Sequence, residues 1–218
     1  MVSQLDTVKL KCDAGVMNLH PPQNLRETLI LAGIDLLHEG GLAGLTLRRA
    51  AARAGVSHAA PAHHFNGLPG LMTAIAARAF QSFADQMEQE RVKAAPEPFS
   101  RLLAICHGYL AFAADHAALF QVMFNYPTLD RSDLTLLAQS ERAYRILRDA
   151  CQPFADDSAA DAALETAVWS LVHGYALLGF GDPIKRSRSF VVAPGFETLL
   201  PRLIVQHANP LAPPANLR

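Results

Sequence analysis

The side chains best placed to recognise another molecule lie between Thr46 and Phe65, in the stretch TLRRAAARAGVSHAAPAHHF. It reads as two short helices, Thr46–Ala54 and His58–Phe65, broken by Gly55-Val56-Ser57. Thr46 and Ser57 are good N-caps, because each side-chain oxygen can accept an N–H that the first helical turn leaves unpaired. Gly55 supplies the left-handed backbone that a tight turn needs. The second helix has to carry Ala59, Ala60 and Ala62 outward beside His58, His63 and His64. Such a bare face can approach base edges closely: alanine methyls meet thymine methyls, and Arg48, His58 and His63 can hydrogen-bond to bases or phosphates. A support helix, a steep turn and an uncluttered second helix together make a helix-turn-helix, which sets one helix in the major groove of DNA. An ordinary helix corner would carry the same punctuation.

A second group could line a small-molecule pocket. Trp169 and His173 stand one turn apart on one helical face. Gly174, with Ala167 and Ser170, gives a small-residue surface where another helix can come close. Cys106, Tyr109, Phe112, Phe120, Met123, Phe124, Trp169 and His173 together offer an apolar lining with a few polar points, as ligand sites do. The plainer account is core packing, with His173 satisfied by a backbone carbonyl.

Other chemistries lack their residues. The sequence has no Gly-x-Ser-x-Gly, no phosphate loop, no His-Glu-x-x-His and no inward Glu-x-x-His pairs. His63 and His64 point about 100° apart on a helix, and His58 and His63 are five residues apart, so neither pair chelates well. No metal, cofactor or catalytic residue is expected, and the chain reads as a non-enzyme. Net charge is −1 with His neutral, so any contact with DNA must be local. Three scattered cysteines without a Cys-x-x-Cys pair suit a reduced, cytoplasmic protein, with Cys12 in a tail and Cys106 and Cys151 in helical cores. No apolar run approaches the ~20 residues of a membrane span.

These groups need helices to hold them. Half the residues are hydrophobic, and apolar positions recur at helical rather than strand spacing, so the fold class is all-α. Residues 1–22 read as a mobile arm, whose Lys9 and Lys11 could touch a phosphate backbone. The first helix is expected from about Gln23 to Glu39, ended by Gly40-Gly41. Asn66-Gly67 stops the helix that begins near Ser57. A long connector follows, from Pro69 to about Val92, with Leu71, Ile75, Ala79, Phe83 and Met87 on its apolar stripe. Further helices are expected near 99–115, 116–125, 130–151, 159–180 and 195–208. Asp182-Pro183 separates the last two, and residues 209–218 read as a frayed tail.

Residues 25–72 resemble the N-terminal domain of the tetracycline-repressor (TetR) family of transcriptional regulators. The resemblance is carried by the apolar first helix, by GLAGLTLRRAAARAGVS, by the HHF that ends the recognition helix and by Leu71. The Trp169-x-x-x-His173-Gly174 pattern is similar to the WHG-type C-terminal body within that family. The resemblance implies a three-helix DNA head (23–68) and a helical ligand-binding and dimerisation body (69–208) that begins with the connector helix (69–92). It implies a homodimer formed through the last two helices, a near-palindromic operator on double-stranded DNA, a small apolar or amphipathic effector, and a repressor. Its DNA contacts fall on Thr46, Arg48, Ser57, His58, Ala59, Ala60, Ala62, His63 and His64. Two family phosphate contacts are missing: Ala62 stands where a tyrosine is usual, and Leu68 where a lysine is. A helical ligand-binding or adaptor protein without DNA binding is the alternative, and a small helical enzyme a remoter one.

Overall fold

The computed structural model describes residues 25–154, 160–179 and 194–208. The expected N-terminal arm with Lys9, Lys11 and Cys12, the Asp182-Pro183 break and the C-terminal tail lie outside the described residues. Among the described residues there are eight α-helices and no strand.

The first, α1 (Leu25–Gly44), leaves helical geometry at Gly41 (φ 60, ψ −161), the glycine expected to end it, and then adds a further turn. That turn seats Leu45 in the core. Next, α2 (Leu47–Arg53) starts where expected: Thr46 is extended, and its Oγ1 accepts the N–H of Arg49 at 3.1 Å. Seven residues make a helix too short to stand on propensity alone. The buried Ala50 and Ala51 seat it instead. Its C-terminus closes in a Schellman arrangement, Val56 N–H to Ala51 O at 3.0 Å and Gly55 N–H to Ala52 O at 3.2 Å, with Gly55 at φ 69.

Past Ser57 the structure corrects the expectation. The segment expected to be an α-helix from His58 to Phe65 is a single 3-10 helix, Ala60–His63, with no side-chain cap, so Ser57 does not cap it. Pro61 is the cause. It has no N–H, and its ring crowds the carbonyl four residues back, so an α-helical ladder cannot run through it from His58. The bonds step around it: Ala60 N–H to Ser57 O at 3.0 Å, Ala62 N–H to Ala59 O at 3.1 Å and Phe65 N–H to Pro61 O at 2.9 Å.

The connector helix, α3 (Gly67–Lys93), is the spine of the molecule. Its first turns pack on α1 and α2, and its length packs on α4 (Pro98–Asp115), α5 (Ala117–Asn125) and α6 (Leu134–Cys151). Leu71, Ile75, Ala79, Phe83 and Met87 are all buried, as the stripe predicts. The bend between α4 and α5 is 104°, at His116. α6 begins at Leu134, later than the expected 130. Asp130 is held in a turn, its N–H on Thr73 Oγ1 and its carboxylate taking the N–H of Ser132, and Asp133 then caps the helix. The last two described helices, α7 (Ala160–Leu177) and α8 (Phe196–Ala208), pack on each other. One apolar core runs from Leu29 to Leu200. No single described helix is long and apolar enough to cross a membrane.

α3 and α4 approach closely at Gly108, where an added Cβ would stand 2.9 Å from Met87 Cα and 3.1 Å from Gln86 O. Backbone cannot yield as a side-chain tip can. Gly108→Ala is therefore expected to destabilise the fold by about 1–3 kcal/mol, read from the midpoint of urea unfolding; an unchanged midpoint would show that the helices separate freely.

Candidate functional site

The residues of the first predicted site are open to solvent to differing degrees. Thr46, Arg48, Ser57, His58, Ala59, Ala62, His63 and His64 are exposed or half-buried, and Ala60 is half-buried. Pro61 and Phe65 face inward between them and anchor the segment. Arg26 lies over the Phe65 ring at 5.4 Å, a cation–π contact that ties α1 to the end of the segment. The Thr46 hydroxyl oxygen is already engaged with Arg49 N–H. Of three arginines on α2, Arg53 is committed to Glu39 at 2.5 Å and to Asp35 at 3.9 Å. Among the described residues, Arg48 and Arg49 make no ion pair. Arg49 is a residue that sequence reasoning passed over, and the paired Arg53 shows why composition could not separate the three. Leu68, at the position of the usual lysine, is half-buried against the core.

The second predicted site is a packed aromatic cluster. Tyr109 on α4 and His173 on α7 join through Tyr109 Oη and His173 Nδ1 at 2.6 Å. Thus His173 is satisfied by a phenol hydroxyl, and not by the backbone carbonyl that the plainer reading supplies. Burial pushes the Tyr109 phenol far above its ordinary value and holds the His173 imidazole below its own. A protonated phenol beside a neutral ring assigns the bond: Tyr109 O–H donates to Nδ1, and the ring proton sits on Nε2. Around it stand Phe120 (5.5 Å from His173), Phe124 (4.7 Å from His173) and Trp169 (6.4 Å from Tyr109), measured between ring centroids.

Sequence reasoning missed two members. Phe83 of α3 meets Tyr109 at 4.7 Å and Phe112 at 5.2 Å, and Tyr144 of α6 meets Trp169 at 5.4 Å. Spacing alone shows Phe83 only as connector stripe, although a helix through the middle of a bundle turns its apolar face to several neighbours at once. Cys106, one turn before Tyr109, is fully buried, and Met123 on α5 is buried too. Burial raises the Cys106 thiol strongly, and the nearby Cys151, itself raised by burial, adds to the effect, so neither is a ready nucleophile.

A cleft of about 490 Å³ opens elsewhere, where the end of α3, the start of α4 and the end of α6 meet. None of the eight predicted ligand residues lines it. Its arginines include Arg91, paired with Glu88, and Arg142, paired with Asp85.

The lowered value of His173 links stability to pH. The unfolded chain takes up this proton near 6.5, where the folded chain does not. Stability is then fully present above that value and lost as pH falls towards the folded one. Melting temperatures between about pH 5 and 7.5 should fall on the acid side for the wild type and fall less for His173→Gln. Equal acid losses in both would show that His173 titrates alike in the folded and unfolded chain.

Residues 102–203 match the family model described as tetracyclin repressor-like, C-terminal domain. That span includes Trp169, His173 and Gly174. No curated protein matches the chain in sequence. In fold the chain is similar to a protein of unknown function from Rhodococcus sp. RHA1 (TM-score 0.66, 23% identity, covering 87% of this chain and 96% of that one). It is similar also to the TetR family transcriptional regulator PfmR from Thermus thermophilus (TM-score 0.54, 17% identity, 87% and 98%). A third is the multidrug binding protein EbrR, complexed with imidazole (TM-score 0.57, 19% identity, 88% and 98%). These coverages extend past the family-model span into the N-terminal helices. Residues 102–203 thus match a tetracyclin repressor-like C-terminal domain, and the chain shares its all-helical fold with the TetR family transcriptional regulator PfmR.

Proposed function

We propose that the protein is a ligand-responsive repressor, not an enzyme, that works in the cytoplasm as a homodimer on a near-palindromic operator. Residues 23–68 form its DNA head and 69–208 its ligand-binding and dimerisation body, with the connector spanning 69–92 between an arm (1–22) and a tail (209–218). The observation that carries this reading is the exposed, alanine-bare segment from Ser57 to His64 beside two arginines without an ion pair among the described residues. A surface of small residues admits close approach to base edges, and Arg48 and Arg49 supply charge where the −1 net balance of the chain does not. Thr46, Ser57, His58, Ala59, Ala60, Ala62, His63 and His64 complete the contact set. The 3-10 geometry shortens the reading element, so shape and water-mediated contact weigh more than a long helical ladder of readers would.

Support for the dimer comes from the far end of the chain. Leu177 and Leu178, at the end of α7, are 55% and 67% exposed. A Cβ on Gly174 would meet nothing. The end of α7 thus keeps an apolar, small-residue surface that one chain leaves uncovered, and a mate's α7 and α8 would cover it. Two heads could then enter successive major grooves, about 34–36 Å apart.

The effector is assigned to the Tyr109–His173 cluster, with Cys106, Phe112, Phe120, Met123, Phe124 and Trp169 around it. The rings touch one another, so a ligand enters by parting α7 from α4 and α5. A small apolar or amphipathic molecule with one polar group suits a site with one buried hydrogen-bonded pair. EbrR, on the same fold, is complexed with a small molecule.

Selection of random duplexes by the purified full chain tests the reading. A palindrome should be enriched. Against it, Arg48→Ala should cost about 1–3 kcal/mol if the side chain reads a base, or lower the salt slope by about one if it holds a phosphate. No enrichment at any salt concentration would favour the adaptor alternative, to which the missing tyrosine and lysine at Ala62 and Leu68 point.

A further inference from the structure

Two histidines face each other across the junction between the N-terminal helices and the C-terminal domain. His38 lies on the last regular turn of α1, exposed, just before the backbone break at Gly41. His116 occupies the 104° corner between α4 and α5. The corner is well held. His116 donates its backbone N–H to Phe112 O and accepts the N–H of Phe120, each at 2.9 Å, and its ring lies 4.9 Å from Phe112. α1 packs directly on α5, so the two rings come from elements that are seated against each other.

His116 Nδ1 and His38 Nε2 are 3.4 Å apart, with ring centroids at 5.3 Å and planes inclined by 30°. That separation exceeds the roughly 2.7–3.2 Å of a well-formed hydrogen bond. It is the separation of two nitrogens sharing one tetrahedral ion: bound at about 2.0–2.1 Å, they stand about 3.3–3.4 Å apart. Metal ligation needs the neutral imidazole. Burial and the neighbouring His38 hold His116 below its ordinary value, against a smaller opposing pull from Asp115. The carboxylates Asp35 and Glu39 flank His38 on α1, although Arg53 takes both.

We infer that His38 and His116 form a divalent transition-metal site, zinc in the first instance, that bridges α1 to the α4–α5 corner. No group of three or more candidate ligands exists among the described residues. The described residues therefore supply two imidazoles, and water can take the ion's remaining positions. An ion there fixes the N-terminal helices against the C-terminal domain at a corner whose ring packs on Phe112, at the edge of the Tyr109–His173 cluster. The inference rests on the fold and on these two rings, and stands whether or not the protein binds DNA.

The test is titration of Zn²⁺ into the full chain against a chromophoric chelator. One ion per chain is expected in the tightest step. His38→Gln and His116→Gln should each weaken that step by at least the about 10–100-fold that loss of a ligand's outer partner costs. His107→Gln, which removes an exposed histidine elsewhere on α4, should leave it unchanged. X-ray absorption at the zinc edge of the one-to-one complex should count two imidazole nitrogens. Zinc should also raise the melting temperature of the wild type but not of His38→Gln, whose exposed position leaves the fold intact. Equal zinc affinity in His38→Gln and the wild type, or a spectrum without an imidazole pair, would overturn the assignment.

Discussion

The buried seam along α3 is the contact on which everything else in this molecule depends. Leu71, Ile75, Ala79, Phe83 and Met87 are all buried along it; Ile75 meets α1 at Gly33, Phe83 meets Tyr109 and Phe112 of α4 and Phe124 of α5, and Met87 meets α4 at Gly108. From Leu71 to Phe83 the helix rises about 18 Å. Close-packed interiors do not deform smoothly; they shift as units. A helix seated at both ends in one apolar core therefore cannot move at Phe83 without moving at Leu71. Gly33 and Gly108 make the seam tight at two points, since a Cβ at either would collide, with Ile75 Cδ1 at 2.7 Å and with Met87 Cα at 2.9 Å respectively.

Phe83 is where the seam meets the polar pair. It touches Tyr109 edge-on, and Tyr109 is bonded to His173. Along one line the structure sets a connector residue, a phenol and an imidazole from three helices. What parts α7 from α4 pulls on that line first. The N-terminal surface is held differently, by a cap at Thr46, a Schellman turn at Gly55 and two inward anchors, Pro61 and Phe65. Each of those devices is local, so the surface moves with α2 and the start of α3 as a unit.

Much of this is legible in the sequence. Thr46 and Gly55 announce their roles because a cap and a left-handed turn each need a particular residue type. The connector stripe is legible because a helix buried along most of its length must repeat apolar residues. Pro61 marks where the expectation fails: the sequence reads as one α-helix from His58 to Phe65, whereas the chain meets the missing N–H of Pro61 by tightening to 3-10 geometry. The lateral pairings are not legible. Nothing in local spacing joins Tyr109 to His173, 64 residues apart, or His38 to His116, 78 residues apart. Those contacts follow from how helices pack, and each leaves only a polar residue in an apolar run as its trace. The same limit hides the difference between Arg53, neutralised by α1, and Arg48 and Arg49, which are not.

On the proposed regulatory reading, the Tyr109–His173 bond also bears on which ligands the body accepts. Coupling between two sites typically amounts to about 1–3 kcal/mol. A hydrogen bond contributes about 0.5–1.5 kcal/mol net, and leaving a buried donor unpaired costs about 1–3 kcal/mol. A wholly apolar molecule that parts the pair leaves a phenol and an imidazole unsatisfied, and that cost is as large as the coupling it would have to drive. A molecule with a donor or acceptor of its own replaces the bond and keeps its apolar contacts with Phe120, Phe124 and Trp169 as surplus. The pair thereby sets a threshold: ring size decides whether a molecule fits among the aromatics, and one polar atom decides whether fitting there can move α3.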